Sequence, residues 1–205
     1  MLASIHPLGE RARHTTWGIT AGAYAIGSTV GGAALAAALG LAGHAMGLVS
    51  GHPRGLVLAL FVAACAVTLA FDLGVAGLSL PTVRRQVNED WLALYRGWVY
   101  GVGFGFQLGL GIATIVTTAT VYLTFAMAFL VGLAGSVGMA ATIGAVFGAT
   151  RAAPILAVAR VATPAHLRAT HRRMQAAAPV ARGASLALPC MALVMVVGAA
   201  AAGWD

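Results

Sequence analysis

Asp72 is an acid inside a long apolar stretch, in the sequence FDLGVAG, and is the strongest candidate for chemistry in the chain. An ionised carboxylate in apolar surroundings is costly unless it is paired or hydrated, so Asp72 indicates a proton relay or a cation site. The alternative is a structural role, either as a helix cap or in an ion pair with an arginine such as Arg84 or Arg151. We expect Asp72 to lie some way before the cytoplasmic end of its span, where a tilted helix admits water.

Gln107 and several threonines place polar groups in a second long apolar segment, FGFQLGLGIATIVTTATVYLT. The threonines that approximate the i, i+3, i+4 spacing of one helical face are Thr114, Thr117, Thr118 and Thr124. Together with Asp72 and Gln107, they are candidates for the lining of a polar path. Alternatively, their hydroxyls bond the backbone of their own helix or of a neighbouring helix.

Cys65 and Cys190 both lie in apolar segments, and Cys190 follows a proline. They form a candidate redox pair if their helices are neighbours, whereas buried cysteine more commonly packs as a small apolar residue. The histidines have no i, i+4 partner, and no serine triad, carboxylate pair or HExxH motif is present. We therefore predict no catalytic residue, no metal site and no cofactor.

The composition places these residues in a membrane. Of 205 residues, 60% are hydrophobic and 8% are charged, whereas about a quarter are charged in average soluble domains. The net charge of +7 comes from arginines that are spread between apolar runs, which argues against a nucleic-acid partner. The sequence therefore predicts an all-α, polytopic integral membrane helix bundle, with the lipid bilayer as its main partner.

The uncharged stretches predict five transmembrane helices, because about 20 residues cross a ~30 Å hydrocarbon core. The predicted spans are residues 17–49, residues 55–80, two spans within 97–150, and residues 183–204. The first span is long enough to be tilted, or interrupted at Gly31 and Gly32. Within 97–150, the sequence GLAGSVG at residues 132–138 predicts a hairpin. Re-entrant segments would raise the number of membrane segments to six or seven.

The arginines indicate the orientation of the chain, because short cytoplasmic loops collect basic residues. With five spans, every arginine except Arg54 falls on the side of the N-terminus. We therefore expect a bacterial cytoplasmic (inner) membrane protein with a cytoplasmic N-terminus. Basicity from arginine alone and the high alanine and glycine content are typical of a high-GC genome.

Two halves of the chain follow one plan, since Trp17 and Gly22 recur as Trp98 and Gly103. This weak internal repeat predicts a cytoplasmic N-terminal segment (1–14), a first half (15–96), a second half (97–182) and a C-terminal helix (183–205). Pairs of glycines four residues apart predict close helix packing; they include Gly27 and Gly31, Gly101 and Gly105, and Gly144 and Gly148.

Two arginine-bearing segments connect the predicted spans. Residues 80–97 contain Arg84 and Arg85, and residues 151–182 contain Arg168, Arg172 and Arg173, in a short helix predicted to start at Thr163-Pro164. These arginines are candidate contacts for anionic lipid at the cytoplasmic face or for an acidic membrane or cytoplasmic protein. The alternative is a solvated anchor that only fixes the topology.

The segment FGATRAAPIL (147–156), the duplicated glycine-rich helices and the Pro189-Cys190 pair resemble the CcdA and DsbD family of membrane thiol-disulfide carriers. The resemblance implies transfer of reductant from cytoplasmic thioredoxin to outer-face proteins, through two intramembrane cysteines that lie next to prolines. In that family the cysteines belong to the first span of each half, where this sequence has Ser28, Thr29 and Gln107. No family active-site residue is therefore carried over.

These patterns lead to three hypotheses for function. The leading one is a permease for a small solute or ion, with Asp72, Gln107 and the threonine face along its path. The second is a CcdA-like electron carrier that uses Cys65 and Cys190. The third is a non-catalytic membrane subunit or scaffold that binds a partner through the arginine-bearing segments.

Overall fold

The computed structural model describes residues 5–50, 54–77, 80, 95–111 and 118–201. Over these residues the chain forms α-helices and two short 3-10 helices, and no strand. The α-helices are α1 (Pro7–Ala12), α2 (Trp17–Ser50), α3 (Arg54–Asp72), α4 (Gly97–Gly109), α5 (Thr120–Leu133), α6 (Val137–Ala152) and α7 (Pro164–Ala201). The 3-10 helices are Val75–Gly77 and Ala153–Val158. The predicted all-α fold class is confirmed.

Four stretches of the described chain are long and apolar enough to cross a membrane. They are Trp17–Val49, Gly55–Asp72, Val137–Val158 and Pro164–Val196, and Thr120–Leu133 is an apolar but shorter helix. This pattern fits an integral membrane protein built as a helical bundle.

Helix α2 is the centre of the bundle, and α4, α5 and α6 pack around it. The contacts are made by glycines that bring backbone against backbone, as their four-residue spacing predicts. A methyl group at Gly105 of α4 would collide with the carbonyl oxygen of Tyr24 in α2. In the same way, one at Gly144 of α6 would collide with the carbonyl oxygen of Gly32. No larger residue fits these positions without moving a helix.

The order of these contacts gives the direction of each helix. Gly101, Gly105 and Gly109 of α4 lie against Thr20, Tyr24 and Ser28 of α2, so the two helices are parallel. Farther along α2, Gly132 of α5 lies against Gly40, so α4 and α5 follow one another along α2. Helix α6 is antiparallel to α2, because Gly144 lies against Gly32 and Gly148 against Ser28.

The predicted interruption of the first span at Gly31 and Gly32 is wrong, because α2 is one helix of 34 residues, about 51 Å long. These glycines do not break α2; they let neighbouring helices approach it closely. Gly31 faces the backbone of Phe106 in α4, and Gly32 faces the backbone of Gly144 in α6.

The third predicted span is interrupted, whereas the sequence predicts one continuous helix up to residue 132. Helix α4 ends at Gly109, and Gly111 has a left-handed backbone with φ of 69°, a conformation that favours glycine and cannot continue a right-handed helix. Helix α5 then begins at Thr120. The expected hairpin at 132–138 is present, with Gly135 at φ 100° and the Ser136 hydroxyl accepting the Met139 N–H at 3.4 Å.

The C-terminal part also differs from the expected loop followed by a span at 183–204. After the 3-10 helix Ala153–Val158, the 38 residues of α7 are continuous through Pro179 and Pro189. The helix does not end at Arg182, whose guanidinium donates to the Asp72 carbonyl oxygen at 3.5 Å. The predicted boundary at residue 183 therefore lies inside α7.

Trp17 begins α2 and Trp98 is the second residue of α4, and these two helices pack in parallel. The counterpart of the single helix α2 is nevertheless the interrupted pair α4 and α5. The internal repeat stays a prediction.

Replacement of Gly105 by alanine tests the backbone contact between α4 and α2. We expect Gly105→Ala to lower the free energy of unfolding by about 1–3 kcal/mol, the usual range for overpacking. Gly138→Ala is the matched control, since a methyl group there meets nothing within 4 Å. Thermal unfolding followed by circular dichroism in detergent measures both variants. Equal unfolding midpoints would contradict the packing described here.

Candidate functional site

Asp72 is the last residue of α3 and bonds the start of α5. One carboxylate oxygen, Oδ1, accepts the backbone N–H of Ala119 at 2.6 Å. The other, Oδ2, is buried and has no hydrogen-bond partner among the described residues. Asp72 therefore caps α5, in agreement with the structural alternative for this residue, but only half of its carboxylate is used.

The position of Asp72 in its helix differs from the sequence expectation. The sequence predicts a span that continues to residue 80, whereas the helix ends at Asp72. The reason is local, because Gly74 and Gly77 have left-handed backbones with φ of 66° and 74°, which terminate a right-handed helix.

Asp72 lies near the middle of the bundle along its axis. Its partner Ala119 directly precedes α5, and Val121 of α5 belongs to the same buried cluster as Ala36. Ala36 is close to the midpoint of α2 (Trp17–Ser50). If α2 crosses a bilayer, the start of α5 therefore lies well inside it.

Arg182 reaches the same level from α7. Its Nη2 group donates to the Asp72 backbone carbonyl at 3.5 Å. Three residues later, the Ser185 carbonyl accepts from the Thr120 hydroxyl at 3.2 Å. Arg182 therefore contacts the backbone of Asp72 and not its carboxylate. Arg84, one of the two partners expected from the sequence, lies outside the described residues.

A groove of about 1240 Å³ lies between α5, α6 and α7. It is lined by Thr118, Thr120 and Thr124 on one side, by Thr142, Thr150 and Arg151 on another, and by Arg182 and Ser185 on α7. The Arg151 guanidinium lies over the ring of Phe147, 5.4 Å from its centroid. The site therefore combines hydroxyls, two cations and apolar walls.

The structure brings part of the predicted polar path to this groove. Thr118 and Thr124 line it. Gln107 is half-buried on α4 and is not among the residues that line the groove. Thr114 and Thr117 lie outside the described residues, as do Arg84 and Arg85.

The hydroxyl groups of the groove bond mostly to backbone. Thr124 donates to the Thr120 carbonyl at 2.9 Å, Thr142 to Gly138 at 2.9 Å, and Thr150 to Val146 at 2.8 Å. Of these three, Thr124 belongs to the predicted threonine face, and its bond agrees with the alternative that these side chains bond their own helix. The three bonds leave the oxygen lone pairs of these threonines as acceptors toward the groove.

The two cysteines lie on helices that contact one another, α3 and α7. Both are free thiols, with Cys65 fully buried and Cys190 exposed. Contact between these helices is the condition for a redox pair, and the pairing itself stays a prediction. Among the described residues, no group of three or more His, Cys, Asp or Glu could hold a metal ion.

Sequence reasoning missed a second carboxylate site, at Glu10 in α1. Its side chain is 0% exposed and accepts hydrogen bonds from Thr15 at 2.5 Å, Thr20 at 2.8 Å and the Tyr100 hydroxyl. Arg13 completes the site with an ion pair at 2.5 Å. The sequence predicts a polar cytoplasmic segment at residues 1–14, and no local pattern links Glu10 to Tyr100, which is 90 residues away.

The electrostatics of Glu10 favour its charged form. Burial alone would raise its pKa, but the hydrogen bonds from Thr15, Tyr100, Arg13 and Thr20 outweigh burial and hold the pKa of Glu10 below its ordinary value. Likewise, burial would lower the pKa of Arg13, but its bond to Glu10 raises it. These groups are a fixed ion pair that joins α1 to α2 and α4.

Comparison with protein-family models, with curated proteins and with solved structures finds no match to this chain. The fold and the site together define a class, an all-α integral membrane protein with a largely apolar groove that carries hydroxyl groups and two arginines.

Acidification tests the Glu10 ion pair. Because the pKa of folded Glu10 lies below its ordinary value, its stabilising effect is present above the ordinary pKa and is lost as pH falls through the folded pKa. We expect the thermal unfolding midpoint of the wild type to fall with pH in that range. Glu10→Gln should be less stable at neutral pH and should lack this component of the pH dependence.

Tyr100→Phe is the companion variant, because it removes one hydrogen bond and keeps the carboxylate. The pKa of folded Glu10 should then rise toward its ordinary value, so that the acid-induced loss is smaller than in the wild type and is complete at a higher pH. Identical pH profiles for the wild type and Glu10→Gln would show that Glu10 does not contribute in this way.

Proposed function

We propose that the protein is a permease for a small solute, and that the solute follows the groove between α5, α6 and α7. The observation that carries this proposal is the groove beside the interruption between α4 and α5, in which polar residues of three helices lie among apolar ones. Interrupted helices recur at the solute sites of transporters, where backbone ends line a cavity. Charged residues within spans typically face such cavities.

The length of the groove fits part of a path across a bilayer. On α7 it extends from Ala178 to Leu188, about 15 Å at the rise of a helix. The hydrocarbon core is about 30 Å thick, so passage requires the groove to open farther at each end. Helix α7 is the element best suited to such a movement, because only 6% of the residues in its apolar stretch are buried in the protein.

Blocking the groove tests the permease proposal for a range of solutes at once. Proteoliposomes are placed in isosmotic solutions of neutral and anionic solutes, and swelling is followed by light scattering. We expect at least one solute to enter faster than in empty liposomes. Ala181→Trp should slow that entry by about tenfold, because Ala181 lines the groove and an indole ring occupies much of its width.

Ala176→Trp is the matched control, since Ala176 is an exposed residue of the same helix and is not among those lining the groove. It should leave the swelling rate unchanged. Swelling that is no faster than in empty liposomes for any solute, or that is equal in Ala181→Trp and the wild type, would contradict the proposal.

A second candidate is the thiol-disulfide carrier that the resemblance to the CcdA and DsbD family implies. The contact between α3 and α7, which carry Cys65 and Cys190, favours it. Such a carrier forms a reversible disulfide between the two residues, which requires their Cα atoms to lie within about 7 Å.

Thiol labelling in native membranes distinguishes the two candidates. For a permease we expect exposed Cys190 to react with N-ethylmaleimide whether or not reductant is added first, and buried Cys65 to react only after unfolding. The carrier would be favoured if Cys190 is labelled only after reductant is added, and if this need for reductant disappears in Cys65→Ser because Cys190 then has no disulfide partner.

We also infer that the arginines on the first part of α7 contact anionic lipid headgroups. Arg168, Arg172 and Arg173 are exposed there, and each basic residue near an anionic leaflet contributes about 1 kcal/mol of binding. With the arginine bias along the sequence, this supports a bacterial cytoplasmic (inner) membrane and a cytoplasmic N-terminus.

A further inference from the structure

The charged side chains that line the groove are all positive. Arg151 and Arg182 line it from α6 and α7, and none of the described residues lining it is acidic. Asp72 contacts Arg182, but only through its backbone carbonyl. The Oδ1 atom of its side chain accepts the backbone N–H of Ala119 instead. Within the described chain, no carboxylate forms an ion pair with Arg182.

The hydroxyls of the groove do not replace the arginines as donors. Thr124, Thr142 and Thr150 each donate their proton to a carbonyl of their own helix. Each guanidinium group carries five N–H donors in a planar fork that matches the geometry of a carboxylate, so Arg151 and Arg182 can donate to a ligand in addition to the contacts that they already make.

The remaining walls are apolar, and the volume is large for a small ion. Val121, Met127, Ile143 and Leu188 are among the apolar residues along the groove. Its volume of about 1240 Å³ is above the range of about 300–1,000 Å³ that is usual for small-molecule sites. A ligand that fills it needs an apolar body as well as a negative charge.

We propose that the groove binds an amphipathic carboxylate, with its charged end at Arg151 and Arg182 and its apolar body along α5 and α7. This inference rests on the proposed function, because it names the class of solute that the permease would carry. Binding itself is a separate property and can be measured without transport.

Equilibrium binding of radiolabelled octanoate to the full chain in phosphatidylcholine nanodiscs tests the proposal. We expect binding above that of protein-free discs, weakened about tenfold by Arg182→Gln and about tenfold by Arg151→Gln, as for the loss of a charge-assisted hydrogen bond. Arg160→Gln is the control, since Arg160 is exposed and is not among the described residues that line the groove. It should leave binding unchanged.

Competition by octan-1-ol keeps the test valid if a variant fails to fold. This alcohol has the same apolar length without the charge, so it should not displace octanoate from the wild type at equal concentration. Displacement by octan-1-ol, binding no greater than in protein-free discs, or equal binding by the wild type and a folded Arg151→Gln/Arg182→Gln double variant would each overturn the proposal.

Addition of phosphatidylglycerol to the nanodiscs separates a free carboxylate from a lipid headgroup as the source of the charge. We expect octanoate binding to persist in these discs. Its loss would show that an anionic lipid occupies the groove and would overturn the proposed free carboxylate.

The binding and swelling measurements test different claims, so either result can be negative without the other. Arginine-dependent octanoate binding without solute-driven swelling would support the site and contradict the permease. Swelling that Ala181→Trp blocks, without octanoate binding, would support the permease and contradict the assigned substrate class.

Discussion

The close backbone contact of α2 with α4, α5 and α6 is the constraint on which the rest of the structure depends. Apolar side chains gain little by leaving lipid for a protein interior, so helix association in a membrane depends on close packing and on interhelical hydrogen bonds. Both are present at Ser28, whose backbone faces Gly109 and Gly148 and whose hydroxyl donates to the Gly148 carbonyl at 2.7 Å. These contacts fix the register of α2 against α4 and α6, and the contact of Gly132 with Gly40 does the same for α5.

The close packing against α2 affects where the polar groups of the bundle lie. Where α4, α5 and α6 contact α2, backbone lies against backbone, so these interfaces leave no room for a polar path. The hydroxyls and arginines of the groove lie on the outer side of α5 and α6, where α7 covers them. The interruption after Gly109 then exposes backbone amides at the start of α5, and Asp72 accepts one of them. The close contacts of α2 and the polar groups of the groove therefore lie in different parts of the same bundle.

Features that depend on neighbouring residues are predictable from the sequence, and features that depend on distant partners are not. The glycine spacing, the long first span and the hairpin at 132–138 each follow from a local pattern, and the structure confirms them. The break at Gly111 does not, because GFQLGLG offers several glycines and only tertiary packing selects the one with positive φ. The same limit applies to charged residues. A charge usually marks the boundary of a span, yet Arg182 lies inside α7, and the Asp72 carbonyl that it contacts is 110 residues away in the sequence.

Glu10 and Asp72 are both held inside the protein, but their environments differ in a way that separates structure from function. Both oxygens of Glu10 accept hydrogen bonds, and Arg13 neutralises its charge. Asp72 bonds one amide and leaves Oδ2 buried without a partner among the described residues. A buried polar atom without a partner costs about 1–3 kcal/mol. Hydrogen bonds and an ion pair therefore account for the carboxylate of Glu10, whereas the described contacts of Asp72 account for only one of its two carboxylate oxygens.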